Sequence, residues 1–366
     1  MSALPPSGET APARARPPTL RAALSSSDNA LNTVRLVLAT LVIFGHVFPL
    51  GGFDAVVAGP FIYAGWHGAA VEGFFVISGY LILASADRLP LRAFLWRRFL
   101  RIYPGYAVAL LVTAFVTAPL GTILGAHWDP ATALRYVARS LTLKAGDLPV
   151  GADIPWPSTW NGSLWTLFYE ALAYVGVGLL LASPGVRTRL REIVVAIAVA
   201  ATIGHIAIVQ LGAAATLPEP FTTLTTSGMR LWAFFAWGML AYVLADRLAP
   251  TWPSTIAAGA TVLVILCTPA LTWTYPVMLV ALPALLLGVG ALARTRLGAR
   301  NDLSYGLYVY AFPIQQLLIL AGASSLGWVT AAALCLAFTL PVAWASWTLV
   351  ERPALQHKDL VPAAHP

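Results

Sequence analysis

Two titratable residues, Arg35 and His46, lie eleven residues apart in the first long apolar run of the chain. Because eleven steps of about 100° end about 20° past a whole number of turns, both side chains point from one helical face. They are separated along the helix axis by about 16 Å, roughly half of a bilayer core. The pair therefore offers a cation toward one membrane surface and a proton-accepting imidazole toward the other. A snorkelling arginine and a structural histidine are the alternative interpretation.

Three further charged residues, Glu72, Glu170 and Arg230, interrupt later apolar runs. With the span assignment given below, all three lie in the outer third of the membrane, at the depth of His46. A carboxylate can orient an imidazole, which then accepts the proton of a hydroxyl group. We therefore predict that His46, Glu72 and Glu170 form a catalytic group beside Arg230. A structural network of salt bridges between the spans is the alternative.

Other aromatic and histidine residues are weaker candidates. Trp165 and Tyr169 lie within about one turn of Glu170, where their rings can stack against a sugar. Among the other histidines, His67 is the reserve candidate for a proton acceptor. The remaining histidines are expected to be structural, namely His127, His205, His357 and His365.

An arginine cluster lies in the segment LRAFLWRRFLRIYPGY at 91–106. Arg97 and Arg98 precede Arg101 by four and three residues, so the three share a helical face. The cluster starts an apolar span, where the helix dipole favours an anion and opposes an unpaired cation. A bound phosphate group would resolve this conflict, although cytoplasmic loops also collect arginines that bind nothing.

The composition indicates which elements must hold these residues. Apolar residues occupy 58% of the 366 positions, charged residues only 10%, and the mean hydropathy is +0.76. A soluble domain of this size needs more surface charge, so we predict an all-α, polytopic integral membrane protein. Both cysteines, Cys267 and Cys335, lie in apolar runs, which suggests neither a disulfide framework nor a zinc site.

Apolar windows of about 17–22 residues predict about ten transmembrane helices. They lie near residues 33–50, 68–85, 102–120, 164–182, 193–211, 229–245, 254–271, 275–293, 303–321 and 327–349. If the N-terminus is cytoplasmic, most of the 22 Lys and Arg residues fall on the cytoplasmic side. This asymmetry follows the positive-inside rule, so both termini are predicted to be cytoplasmic. The net charge of +7 then requires no nucleic-acid partner.

Three regions of the chain follow from this assignment. Residues 1–30 are expected to form a disordered cytoplasmic tail, 31–353 the transmembrane domain and 354–366 a short cytoplasmic tail. The long outer connection at about 121–163 is predicted to contain a short helix near 131–143. This connection is expected either to cover an outward-facing site or to rest its tryptophans at headgroup level.

Six blocks in order resemble the membrane-bound acyltransferase-3 family, whose members include O-acetylases of bacterial surface polysaccharides. The blocks are Arg35 through His46, VEGFFVISGYLI at 71–82, RRFLRIYPGY at 97–106, SLWTLFYE at 163–170, NDLSYGLYVY at 301–310 and VERP at 350–353. One block alone is weak evidence, whereas six in order with the right spans between them are specific. The chain departs from the family pattern at Ala311, where a histidine is frequent, and at Thr166, which replaces a serine.

The resemblance implies a membrane enzyme that takes an acyl group, expected to be acetyl, from cytoplasmic acyl-CoA. The expected location is the bacterial inner membrane, with membrane lipid around the protein. In this chain the phosphates of CoA would be bound by Arg35, Arg97, Arg98 and Arg101. The pantetheine arm would run between the first three spans, where Ser78 and Gly79 are small enough to admit it.

The resemblance further implies that the acceptor is a hydroxyl group, often of a carbohydrate. His46 would act as general base or as transient acyl carrier, with Glu72 or Glu170 orienting it or the sugar. Trp165, Tyr169 and Arg230 would contact the sugar. Neither route uses a metal or a permanently bound cofactor, so acetyl-CoA is expected only as a donor substrate.

Two other functions stay open on the sequence alone. One is a carrier or flippase for a lipid-linked glycan that performs no chemistry. The other is an acyltransferase whose acceptor is a small-molecule metabolite or a lipid headgroup. The Arg35–His46 pair and the arginine cluster favour the enzyme, because a carrier has no need of a phosphate-binding cluster on one side and a histidine on the other.

Overall fold

The computed structural model describes residues 18–26, 28–53, 65–144, 153–157, 159–268, 276–295, 297–298 and 300–362, and these residues contain helices and connecting loops but no β-strand. The helices are α1 (Leu20–Ser25), α2 (Leu31–Gly51), α3 (Trp66–Ala86), α4 (Leu91–Val112), α5 (Ala118–Thr122), α6 (Pro130–Ser140), α7 (Trp165–Ala182), α8 (Pro184–Thr188), α9 (Leu190–Gly204), α10 (Phe221–Val243), α11 (Trp252–Cys267), α12 (Met278–Leu292), α13 (Ser304–Leu320), α14 (Trp328–Ser346) and α15 (Arg352–Gln356). Turns of π-helix continue three of them, at Thr113–Thr117, His205–Gln210 and Trp347–Glu351, and single 3-10 turns lie at Ala323–Leu326 and His357–Leu360.

Six helical runs in the described part of the chain are long and apolar enough to cross a bilayer. These are Leu31–Gly51, Trp66–Ala86, Leu91–Thr122, Trp165–Ala182, Leu190–Gln210 and Trp328–Leu360, and α11 and α12 are shorter apolar helices. The predicted all-helical class is thus confirmed. The total of about ten spans and the cytoplasmic position of both termini stay predictions, and the end of predicted span 254–271 reaches into residues 269–275, outside the described residues.

Helix α3 lies at the centre of the bundle, since 67% of its most apolar window is buried, against 17% for the run Leu190–Gln210. Its closest neighbour is α10. A Cβ atom at Gly79 would lie 2.0 Å from the carbonyl oxygen of Phe235, and one at Gly238 would lie 2.1 Å from that of Val76. Small residues at such crossings let two backbones touch. Gly79 therefore faces α10, so the prediction that it lines the path of the pantetheine arm is wrong.

Helix α1 differs from the disordered tail predicted for residues 1–30. Leu20 and Leu24 are one turn apart, which gives this short helix an apolar edge, and both side chains are buried. The guanidinium of Arg21 forms an ion pair with Asp246 at 2.8 Å, and the backbone amide of Leu20 donates to the carbonyl of Leu248 at 2.7 Å. Residues 1–17 of the predicted tail lie outside the described residues.

The connection predicted at 121–163 contains α6, which agrees with the short helix expected near 131–143. Its start is set locally, because the Asp129 side chain accepts a hydrogen bond from the backbone amide of Thr132 and Pro130 occupies the first position. Its end is held by the Tyr106 hydroxyl of α4, which donates to the carbonyl of Ser140 at 2.7 Å. Residues 145–152 and 158 of this connection lie outside the described residues.

Candidate active site

Two adjoining cavities lie between α2, α3, α7 and α13. The first, here the histidine cavity, has a volume of about 460 Å³ and contains His46, Arg230 and Trp165 in its wall. The second, here the arginine cavity, has a volume of about 100 Å³ and its wall includes Arg35, Arg98, Arg101 and Glu170. Val71 and Tyr308 belong to both walls. Helix α2 thus presents Arg35 to one cavity and His46 to the other, as their spacing on one helical face predicts.

His46 is held by two neighbouring rings. Its ring centroid lies 5.5 Å from that of His67 and 5.1 Å from that of Phe312, whose ring meets it edge-on. Its side chain forms part of the wall of the histidine cavity. One turn earlier in α2, the Gln315 amide donates to the carbonyl of Ile43 at 2.7 Å and ties α2 to α13. The imidazole is therefore oriented and accessible from the histidine cavity, as a general base must be.

The Glu72 carboxyl lies against the guanidinium of Arg230. The Glu72 carboxyl is fully buried, and its oxygen lies 3.3 Å from the Nε of Arg230. The Arg230 side chain is 35% exposed and reaches the wall of the histidine cavity. A buried carboxylate requires such a partner, so the pair holds a cationic donor beside His46.

Glu170 does not join His46, although sequence reasoning placed the two side by side. The carboxylate lines the arginine cavity, where it accepts hydrogen bonds from the hydroxyls of Ser78 at 2.9 Å and Tyr174 at 2.5 Å. Thr166, one turn before Glu170 in α7, lines the same cavity, whereas Trp165 faces the histidine cavity. The prediction that Glu170 shares the depth of His46 therefore differs from the structure, which places Glu170 with the arginines.

Asp302 is a site residue to which sequence reasoning gave no role. Its carboxylate bridges the guanidinium groups of Arg35, at 2.5 Å, and Arg101, and it also accepts a hydrogen bond from the Ser304 hydroxyl at 2.6 Å. Burial alone would raise the pKa of Asp302, but the two arginines outweigh it and hold that pKa below its usual range. Two of the four predicted phosphate ligands are thus already paired with a carboxylate. The sequence feature that could have identified Asp302 as a site residue is its position, as a charged residue directly before the span that begins LSYGLYVY.

The other two arginines of the cluster differ in environment. Arg98 lines the arginine cavity and forms no ion pair with any residue that the structure describes. Arg97 instead forms an ion pair at 3.1 Å with Asp359, which is exposed, and does not contribute to the wall of that cavity. Of the four predicted arginines, Arg98 is the one whose guanidinium remains available to an anion.

A thin partition separates the two cavities. The hydroxyl of Tyr308 lies 2.5 Å from that of Thr166, and the Tyr308 ring meets Phe74 at a centroid distance of 5.8 Å. Both tyrosine and threonine are buried. Because Tyr308 and Val71 are shared by the two walls, a rotation of the phenol ring away from Thr166 would join the cavities.

The end of the long connection, at residues 153–163, covers the histidine cavity. Gln316 of α13 accepts a hydrogen bond from the backbone amide of Trp156 at 2.9 Å and donates to the carbonyl of Thr159 at 2.7 Å. Asn161 donates to the carbonyl of Val309 at 2.9 Å. Trp156, Thr159 and Asn161 all line the cavity. The adjacent glutamines in an apolar span were the sequence signal for this anchor.

The two predicted aromatic contacts are divided between two surfaces. Trp165 is 37% exposed and lines the histidine cavity. Tyr169 lies behind it, with the two ring planes nearly perpendicular and their centroids 5.6 Å apart, and does not belong to the wall of that cavity. Only Trp165 can therefore contact a molecule bound beside His46.

Comparisons with known proteins show which sequences this chain is similar to. The family model for the acyltransferase domain, Acyl_transf_3, matches residues 28–348. A protein named "O-acetyl transferase" of Shigella phage Sf6 is 26% identical over 327 residues, which cover 89% of this chain and 95% of that protein. "Nodulation protein 10" of Rhizobium leguminosarum bv. viciae is 30% identical over 373 residues, which cover 91% of this chain and 94% of that protein. No solved structure matches the chain.

Proposed function

The chain belongs to the acyltransferase-3 family, and from this premise we propose that it is a membrane O-acetyltransferase that moves an acetyl group from acyl-CoA to a hydroxyl of a carbohydrate. The name of the phage relative supports acetyl transfer to oxygen. The observation that carries the proposal is the pair of adjoining cavities, one with an unpaired arginine and the other with an oriented histidine. Acyl transfer across a membrane needs these two environments on one path.

The donor binds at the arginine cavity in this proposal. Arg98 binds a phosphate of CoA. Arg35 and Arg101 share the single carboxylate of Asp302 and together keep the surroundings of the site positive. Arg97 is left out of the donor site because Asp359 neutralises it. The pantetheine arm carries amide groups, and the cluster of Ser78, Glu170 and Tyr174 offers hydroxyls and a carboxylate that can hydrogen-bond them. Glu170 thus serves the donor arm in this proposal instead of His46.

The thioester reaches the histidine cavity by displacing Tyr308 from Thr166. The neutral His46 imidazole then accepts the proton of the acceptor hydroxyl, whose oxygen attacks the thioester carbonyl carbon. The C–S bond breaks, the acetyl group becomes an ester on the acceptor, and the proton passes from His46 to the departing CoA thiolate. Arg230, held by Glu72, is placed to stabilise the negative oxygen of the tetrahedral intermediate.

A variation of this route uses His46 as nucleophile. The imidazole would attack the thioester, release CoA and carry the acetyl group to the acceptor hydroxyl. Both routes require the same side chain and the same cavity. They differ in whether acetyl-His46 forms when donor is supplied without acceptor, which intact-protein mass spectrometry measures.

The test is acyl transfer in proteoliposomes with labelled acetyl-CoA and cell-envelope glycan. We expect His46→Ala to lower the rate by about 10²–10⁴-fold, the range for loss of a general base, while the protein stays folded and inserted. His127→Ala, an exposed histidine outside both cavities, is the matched control and should retain the wild-type rate. Equal label with wild type and His46→Ala would remove His46 from the mechanism. An absence of label with wild type would instead favour a different acceptor or a carrier that performs no chemistry.

A further inference from the structure

A third cavity adjoins the histidine cavity on the other side of Trp165. Its volume is about 400 Å³. Phe168 and Tyr169 of α7 form one wall, Thr223, Leu224 and Ser227 of α10 form another, and Lys144 and Pro220 complete it. The Trp165 side chain belongs to the walls of both cavities. A ligand that reacts beside His46 can therefore extend around the indole ring into this third space.

The wall of the third cavity has the chemistry of a sugar-binding surface. Tyr169 meets Trp165 and Phe168 with interplanar angles of 83° and 80° and centroid distances of 5.6 and 5.5 Å. Tyr169 is buried and supports the exposed indole of Trp165, whose face can pack against the C–H groups of a pyranose ring. The exposed hydroxyl of Thr223 can bond a hydroxyl group of that ring.

The cavity also has a preferred charge. Among the described residues that line it, Lys144 is the one charged side chain. An ammonium group on an otherwise apolar and hydroxyl-lined wall attracts a carboxylate or another anionic substituent. In the histidine cavity next to it the charge of Arg230 is balanced by Glu72, so the preference for an acidic acceptor rests on Lys144.

We propose that the third cavity is a second acceptor subsite, which binds the sugar unit adjacent to the one that is acetylated. The acceptor is then an acidic oligosaccharide or longer glycan that bends around Trp165, and a single sugar occupies only half of the site. This inference rests on the proposed function, because it assigns the histidine cavity to the reacting unit.

The test compares uronic-acid-containing acceptors of one unit and of several units, with labelled acetyl-CoA. Ser227→Trp fills the third cavity without touching the histidine cavity. We expect it to raise KM for the several-unit acceptor by about tenfold and to leave KM for the single-unit acceptor unchanged. Thr223→Trp, an exposed position at the rim, should give the same length-dependent effect if Ser227→Trp fails to fold. The control is Thr225→Trp, on the same helix but outside the cavity wall. In this variant the ratio of KM for the single-unit acceptor to KM for the several-unit acceptor should equal that of wild type.

The charge preference is measured with Lys144→Glu. We expect this change to raise KM for an acidic several-unit acceptor while leaving that for a neutral one of equal length unchanged. Equal increases of KM for single-unit and several-unit acceptors in both tryptophan variants would contradict the subsite. A lipid that stays bound in the third cavity through purification and excludes sugar would contradict it as well. Failure of the wild-type protein to acetylate any glycan would instead contradict the proposed function.

Discussion

Two adjacent arginines in α4 show that the surroundings of a side chain determine whether it is available to bind a ligand. Arg97 and Arg98 are neighbours in sequence with the same intrinsic chemistry. A helix turns by about 100° per residue, so their side chains leave in different directions. Arg97 forms an ion pair with Asp359 at 3.1 Å, whereas Arg98 lines the arginine cavity and has no ion pair among the described residues. Only the second arrangement leaves a cation for a ligand.

This difference predicts unequal effects of two matched substitutions. Arg98→Ala should weaken acetyl-CoA binding by about 10–100-fold, because a charge-assisted hydrogen bond contributes roughly 1.5–3 kcal/mol. Arg97→Ala should change donor affinity little, since it removes an ion pair with an exposed aspartate. Isothermal titration of the detergent-solubilised protein measures both. Equal loss of acetyl-CoA affinity in the two variants would contradict the assignment of Arg98, and not Arg97, to the donor site.

At the level of elements, α3 connects the parts of the site. Its N-terminal half supplies His67 and Glu72 to the region of the histidine cavity, and its middle supplies Ser78 to the arginine cavity. Gly79 and Gly238 determine how closely α3 packs against α10, because the two helix backbones are in contact at these residues. The positions of the cavities therefore depend on two residues without side chains.

A methyl group at this crossing should be costly. Gly79→Ala places a Cβ 2.0 Å from the carbonyl oxygen of Phe235, which is backbone and cannot rotate away. We expect it to lower the free energy of unfolding by about 1–3 kcal/mol or more, the usual cost of overpacking. The matched change Gly176→Ala meets nothing within 4 Å in α7 and should be neutral or stabilising by up to about 1 kcal/mol, because alanine favours a helix. Thermal unfolding in detergent compares them, and equal melting temperatures would contradict the close contact.

At the level of the whole molecule, the two cavities lie in line through the bundle. Arginines line one end of this path and histidines the other, with Tyr308 between them. This arrangement can transfer an acetyl group from one side of the membrane to the other only if the arginine end faces the source of acyl-CoA. The positive-inside rule predicts this orientation, since most Lys and Arg residues fall at that end.

The orientation is tested by thiol labelling of single-cysteine variants in intact cells. In a chain with Cys267→Ala and Cys335→Ala, we expect His127→Cys to react with a membrane-impermeant maleimide. Lys358→Cys should react only after the cells are permeabilised. Both residues are exposed on the protein surface, so accessibility reports the side of the membrane and not burial. The opposite pattern would reverse the path and remove cytoplasmic acyl-CoA as its donor.

Much of the architecture was determined by the sequence alone. The apolar runs predicted α2 at 33–50 and α7 at 164–182, close to the observed ends, whereas α4 and α10 begin at Leu91 and Phe221, well before the predicted starts at 102 and 229. The eleven-residue spacing correctly placed Arg35 and His46 on one face, and six short blocks identified the family. These properties are local or composed of local patterns, because apolar length and helical periodicity depend on neighbours along the chain.

What only the tertiary structure decided is how the helices are rotated and which distant residues meet. The predicted spans placed Glu170 beside His46, whereas the packing of α7 places it against Ser78 and Tyr174 in the other cavity. The bridge of Asp302 between two arginines and the contact of Gly79 with α10 likewise join residues far apart in sequence. A helix that is apolar on all sides has no amphipathic pattern to define its inner face. Its rotation is therefore set by packing against the other helices, which no local pattern records.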